Sequence, residues 1–459
     1  MRRSLSNKRT VLLFTMTLCS MPLHAADPSY EELLRRVEAL EKQQQDTNAA
    51  LDSDRISENE PELATRLKDV ELRTYSLQKQ ARTIAALEGI TASLGLATVG
   101  QHASDDSTVS GDGESHLNYR ADVVVTLPGG EVGRAKGSLF GQFRLGQGGG
   151  MMDLRDRFTS PNATTFQISG PPSDSTAMLA QAWYQFDIPL GDVDGVSKPH
   201  QRVVVNVGKM DPFLFFDQNC VADDEVSRFI NSAFVHNPLL DAGGDVGVDN
   251  YGFTPGVRLA YRNETSSPEW WGISVGLFAA GEGASFNDSF HAPFVITQLE
   301  TGRKLFGGLS GNYRLYRWSN GQATQFNEGL VTEDHAGWGI SADQRLGDAV
   351  TLFARFGVST QGIVKFDRAM TIGTEVGGSY WSRSADAIGL AVGWLKPSDE
   401  YQSDNPGHDA MEKEVELFYR WRLNHQLAIS PDIQRVRNPA GDDAGKTMWF
   451  AGVRAVVNF

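Results

Sequence analysis

No run of about 18 apolar residues occurs anywhere in the chain, so no helix expected from it crosses a bilayer. Only two cysteines are present, Cys19 and Cys220. Once an N-terminal leader is removed, Cys220 stands alone. That excludes an intrachain disulfide and a cysteine-based zinc site. A Gly-x-Ser-x-Gly elbow and a Walker loop are both missing, and no Ser–His pair is indicated. No enzyme activity and no cofactor is therefore expected. Positive charge is in deficit, with 42 Lys and Arg against 57 Asp and Glu, a formal net charge of -15. That balance argues against nucleic acid and anionic lipid as partners. Asp241, Asp245 and Asp249 do not match the spacing of a calcium loop, and solvated loop carboxylates are the simpler reading. No metal site is expected, and His236 reads as a loop hydrogen-bonding residue.

The N-terminus reads as an export signal over 1–25. Arg2, Arg3, Lys8 and Arg9 precede a short apolar run, Val11 to Leu18, and Ala25 suits cleavage before Ala26. Residues 27–86 differ from all that follows. Leu33, Val37, Leu40 and Leu51, then Leu63, Leu67, Val70 and Leu77, mark a heptad seam interrupted at Pro61. We expect a periplasmic coiled coil there, with a single amphipathic helix as the alternative. The seam does not set the number of chains, so a homotrimer is only one of the assemblies it would allow.

From Gly89 the pattern changes to period two, over 89–459. Leu117, Tyr119, Ala121, Val123 and Val125 share one face, while Asn118, Arg120 and Asp122 share the other. The last strand alternates Trp449, Ala451, Val453, Ala455 and Val457 against Phe450, Arg454 and Val456, and ends on Phe459. One apolar face and one polar face suit a transmembrane antiparallel β-barrel, an all-β fold, better than a soluble sandwich. A first count gives about 15 strands. The tight turns at Gly347 and Asn424-His425 must lie on one side, which requires one more strand over 363–373. The total becomes about 16, enough for an aqueous lumen.

The longest outer connection, 212–251, carries a distinctive segment. Gly208-Lys209, Phe216-Asp217-Gln218-Asn219, Asp224-Glu225 and Phe229 through Asn237 follow one another in it. Arg383-Ser384-Ala385-Asp386 and Pro431-Asp432-Ile433-Gln434 with Asn438-Pro439 come later. In this order they resemble the signature of the carbohydrate-selective porin family, the OprB type, across roughly 89–459. The resemblance implies a passive outer-membrane channel for small neutral sugars or similar polar solutes. It also implies outer-membrane lipid around the barrel, and assembly machinery that reads the Phe459 strand. Cys220 and His236 depart from the family pattern.

Porins fold an outer loop inward, so loop 212–251 is expected to narrow the pore through Asp217, Asn219, Asp224, Glu225, Arg228 and Phe229. Asp223 to Glu225 look like the start of an amphipathic helix whose stripe includes Phe229 and Phe234. The candidate pore lining is Arg120, Arg144, Trp183, Gln185, Arg258, Glu416, Arg420 and Arg454. Such forks, amides and rings suit sugar hydroxyls and sugar faces. The competing reading is that these charges pair across the barrel and stiffen it. An anion- or organic-acid-selective porin and a structural tether using the coiled coil remain alternatives.

Overall fold

The computed structural model describes residues 90–166, 174–191, 200–241, 245–329 and 331–459, together with Glu38 and Lys42. The chain divides into two units, Met1–Lys68 and Asp69–Phe459. In the first, the described residues Glu38 and Lys42 are helical and exposed. The expected signal peptide, and the rest of the expected coiled coil, lie outside the described residues.

The second unit holds sixteen strands that pair in sequence order and close on themselves. They are β1 Thr91–Ala103, β2 Glu114–Val132, β3 Ala135–Gln147, β4 Thr176–Leu190, β5 Gln201–Met210, β6 Thr254–Asn263, β7 Trp270–Phe278 and β8 Phe294–Leu305. Then come β9 Leu309–Thr324, β10 Thr332–Arg345, β11 Val350–Gln361, β12 Phe366–Gly377, β13 Ala387–Pro397, β14 Glu412–Arg422, β15 Leu427–Arg437 and β16 Met448–Asn458. Every neighbouring pair is antiparallel, and β1 meets β16 from Gly95↔Asn458 to Ala103↔Phe450. Closure leaves no sheet edge unpaired, the condition for strands to cross a hydrocarbon layer. Phe459 completes the seam by exchanging backbone bonds with Leu94.

The strand required by turn parity exists as β12, displaced a few residues from 363–373. β2 runs on past Pro128 and Gly130, which flank a register shift rather than ending the strand. Short connections, such as those at 133–134, 306–308, 346–349 and 423–426, share one end with Leu94 and Phe459. Long ones, including 148–175 and 211–253, lie at the other end.

Alternation sorts the wall into two faces. Leu139, Leu259, Leu299, Leu315, Leu417 and Val453 point outward and are exposed. Inward positions are polar or aromatic, yet buried: Glu412, Glu414, Glu416 and Phe418 on β14 are all at most 1% exposed. Polar groups facing an empty lumen would be wet. Their burial means that protein occupies the space in front of them.

Candidate functional site

Described parts of three outer connections occupy that space: 148–166 after β3, 211–241 after β5, and the turn at Pro439–Gly441 after β15. The wall holds them through three carboxylates in a row. Glu412 accepts from the Phe158 and Ala440 amides. Glu414 accepts from Thr159 Oγ1 at 2.5 Å and from Asn231 Nδ2 at 3.2 Å. Glu416 accepts from the Ile230 and Asn231 amides at 2.7 and 2.9 Å. Glu412 and Glu416 thus anchor loop backbone, and Glu414 anchors two loop side chains.

The loop's turn is held by arginines from three strands. Arg120 on β2 reaches Glu225 at 2.5 Å. Arg454 on β16 donates to the carbonyls of Glu225 and Arg228 at 2.8 and 2.6 Å. Arg420 on β14 donates to the Ser227 carbonyl at 3.1 Å and to Glu375 at 3.2 Å. Arg228, on the loop itself, lies 3.5 Å from Glu375 and bonds the Cys220 carbonyl.

These grips explain why the expected helix does not form. Residues 225–227 make a turn, and the α-helix that follows is α1, Ser232–Val235, capped by Asn231. Asp224 does catch the Val226 and Ser227 amides, as a cap would. A helix would then need the carbonyls of Ser227 and Arg228 to accept from Asn231 and Ser232. The wall arginines hold those carbonyls, Glu416 takes the Asn231 amide, and Ser232 donates to Ser160. Tertiary bonds replace the local ladder one by one.

Three strands along the wall from β14, Arg355 on β11 forms an ion pair of 3.0 Å with Asp217 of the loop, and neither side chain is exposed. Arg355 also donates to the Asp217 and Phe234 carbonyls. Tyr316 and the Asn237 amide complete the Asp217 carboxylate at 2.8 and 2.6 Å. Asp217 has φ 53, a left-handed conformation that Asp tolerates better than most residues. Asn219 donates to the Ala342 carbonyl and Ser341. Phe229 lies between Phe353 and Phe418, with ring centroids at 5.6 and 5.0 Å. Burying such a ring contributes roughly 2 kcal/mol. His236 stacks on Phe213 and lies between Asp223 and Asp241. Burial depresses this imidazole, but its bonds to the two carboxylates outweigh that and push it up to about 10.

The remaining candidates fall into two groups. Arg144 pairs with Asp122 at 2.7 Å, beside Arg120. Glu225, Asp122, Arg228 and Arg144 keep 15–21% of their side-chain surface exposed, whereas Arg120 keeps 5%. They form the wetted rim of the filled region. Trp183, Gln185 and Arg258 are packed instead. Trp183 stacks on Phe140 at 4.6 Å and meets the edge of Phe215. Gln185 accepts from Asn206, and Arg258 donates to Asn206 and Ser274 with its guanidinium 4.9 Å from the Phe215 ring.

Several residues that hold the site went unread in the sequence. Arg355 and Phe353 are inward positions of β11, and alternation would have found them. Glu375 lies just past the expected end of its strand. Asp245 is not a solvated carboxylate. It is buried against His335 at 2.5 Å and the Trp318 indole at 3.0 Å. Among the described residues no group of three or more metal-ligating side chains occurs.

A family model described as carbohydrate-selective porin, OprB family, matches residues 36–459. Porin B of Pseudomonas aeruginosa is 25% identical over 184 residues, 32% of this chain and 40% of that protein. The chain thus spans less than half the length of that curated relative. Among solved structures, the high-pH structure of Pseudomonas putida OprB superposes with a TM-score of 0.63 at 17% identity. The overlap covers 84% of this chain and 96% of that one, a likeness of fold.

Proposed function

The chain belongs to the carbohydrate-selective porins of the OprB family, and from that premise we propose a passive outer-membrane channel for small neutral polar solutes, sugars foremost. Family and fold point to a channel rather than an enzyme. In this reading the end with short turns and Phe459 faces the periplasm, with residues 27–86 beyond it, and solutes enter among the long loops.

The observation that supports neutral solutes is the pairing at the rim. Arg120, Arg144, Arg228 and Arg420 each have a carboxylate within 4.0 Å, namely Asp122, Glu225 or Glu375. A passing ion meets charges that already have partners. A hydroxyl-bearing solute meets arginine forks and carboxylate oxygens that can share one more bond. Such contacts are weak and many, which transport requires. Packed Trp183 and Phe418 contribute shape rather than stacking surface. Liposome swelling tests the reading: neutral sugars should enter faster than charged solutes of equal size. Purified protein that admits no solute would end the channel reading.

One observation favours the anion-selective alternative. Arg454 and Arg258 bond only carbonyls, amides and hydroxyls among the described contacts. Reversal potentials in a salt gradient decide between the two, and strong anion selectivity would replace the sugar reading. Light scattering of the detergent-solubilised protein, with and without residues 27–86, tests the trimer and the tether together.

A further inference from the structure

The outward face of β12 to β15 changes character in the same order on each strand. Near mid-wall it is apolar, with Met370, Val392, Val415 and Ile433. Toward the long-loop end it turns basic: Arg368 on β12, Lys396 on β13, Lys413 on β14, and Arg435 and Arg437 on β15. Trp394 and Trp449 stand outward in the same zone, as aromatics do at a membrane interface.

Strand register brings these cations together. Arg368 sits directly opposite Lys396, and Lys413 directly opposite Arg437. Arg435 is diagonal to Lys413, since it faces Val415. Like charges directly opposite one another destabilise a sheet. The protein offsets this only in part: the Arg435 guanidinium lies 5.5 Å from the Trp449 ring. Arg368 and Lys396 have only distant carboxylates, Asp367 at 3.8 Å and Asp399 at 3.9 Å. Among the described residues no carboxylate lies within 4.0 Å of Lys413, Arg435 or Arg437. The net charge of -15 thus hides a local surplus of the opposite sign.

We propose that this belt binds the phosphate-bearing headgroup of a membrane lipid, while the apolar positions beneath it take the acyl chains. The chemistry fits one amphiphile: anionic oxygens for five cations, with hydrocarbon directly below. Bound phosphates would offset the repulsion that the register imposes. The proposal rests on the orientation given above only for which leaflet supplies the lipid, the one facing the long loops.

Lipid retention in nanodiscs of zwitterionic phosphatidylcholine, with and without diphosphorylated lipid A, tests it by native mass spectrometry. The full-length protein should hold lipid A selectively. Lys413→Gln with Arg437→Gln should weaken that binding by roughly tenfold or more, and sugar swelling rates should not change, because both residues lie outside the loop contacts. Equal retention by the variant would overturn the proposal, as would retention of phosphatidylcholine to the same degree. Complete displacement by millimolar inorganic phosphate would also overturn it, by showing a plain anion site. A protein that binds lipid A but admits no sugar would sink the channel reading and leave this one standing.

Discussion

Replacing Asp217 by Asn should unseat the inward loop without unfolding the barrel. The substitution keeps the shape and tolerates φ 53. It removes the only carboxylate within 4.0 Å of Arg355 among the described residues and points an amide donor at groups that already donate, Asn237 N–H and Tyr316 O–H. Breaking a buried ion pair from one side costs about 3–5 kcal/mol, because the partner charge is stranded. Some of this is recovered through the new amide oxygen, so about 3 kcal/mol is the working figure. That shifts the balance of seated and unseated loop by roughly a hundredfold. Cys220 reports it directly. The thiol lies on this loop and is half-buried, and burial raises its pKa, so opening of the loop should speed its reaction. Thiol labelling at fixed pH should therefore accelerate, by at most about two powers of ten. Adding Arg355→Met to Asp217→Asn removes the stranded charge, and the double variant should label more slowly than the single one. An unchanged labelling rate in Asp217→Asn would refute the argument that this pair seats the loop.

Three further outcomes are expected. Gly389 faces Phe418 across the strands, and a Cβ there would fall 2.1 Å from the ring, so Gly389→Val should displace Phe418 from Phe229 and raise Cys220 labelling. Replacement of His236 bears on pH: its pKa is raised from about 6.5 to about 10, so its contribution is full below the lower value and vanishes as pH rises through the higher. Channel noise should grow over that window in the wild type and stay flat in His236→Asn; the same rise in both would exclude His236. Glu225→Gln leaves Arg120 with Asp122 alone within 4.0 Å, and the reversal potential should move toward anions, while Arg144→Ala should move it toward cations. A shift of the same sign in both would contradict the paired rim.

The wall was legible because its physics is local. Alternation along β14 separates Leu417 from Glu416 without reference to any other strand. Turn parity even recovered β12, whose own pattern was too weak to show. The loop was legible only as a family segment. Its sequence also suggests a helix start at Asp224 and Glu225, which the structure does not form. The bonds that overrule that helix come from Glu416, Arg420 and Arg454, about 190 to 230 residues away in sequence. Trp183, read as a stacking surface for sugar, is covered by Phe140 and Phe215 for the same reason.

Sequence by itself determined the barrel, its strand number and the sign of each face, since a period of two and the length of a turn are properties of neighbouring residues. Tertiary structure alone decided which inward groups meet solvent. That depends on which loop backbone a given carboxylate or arginine holds, and hydrogen bonds between distant segments leave no periodic trace in a chain.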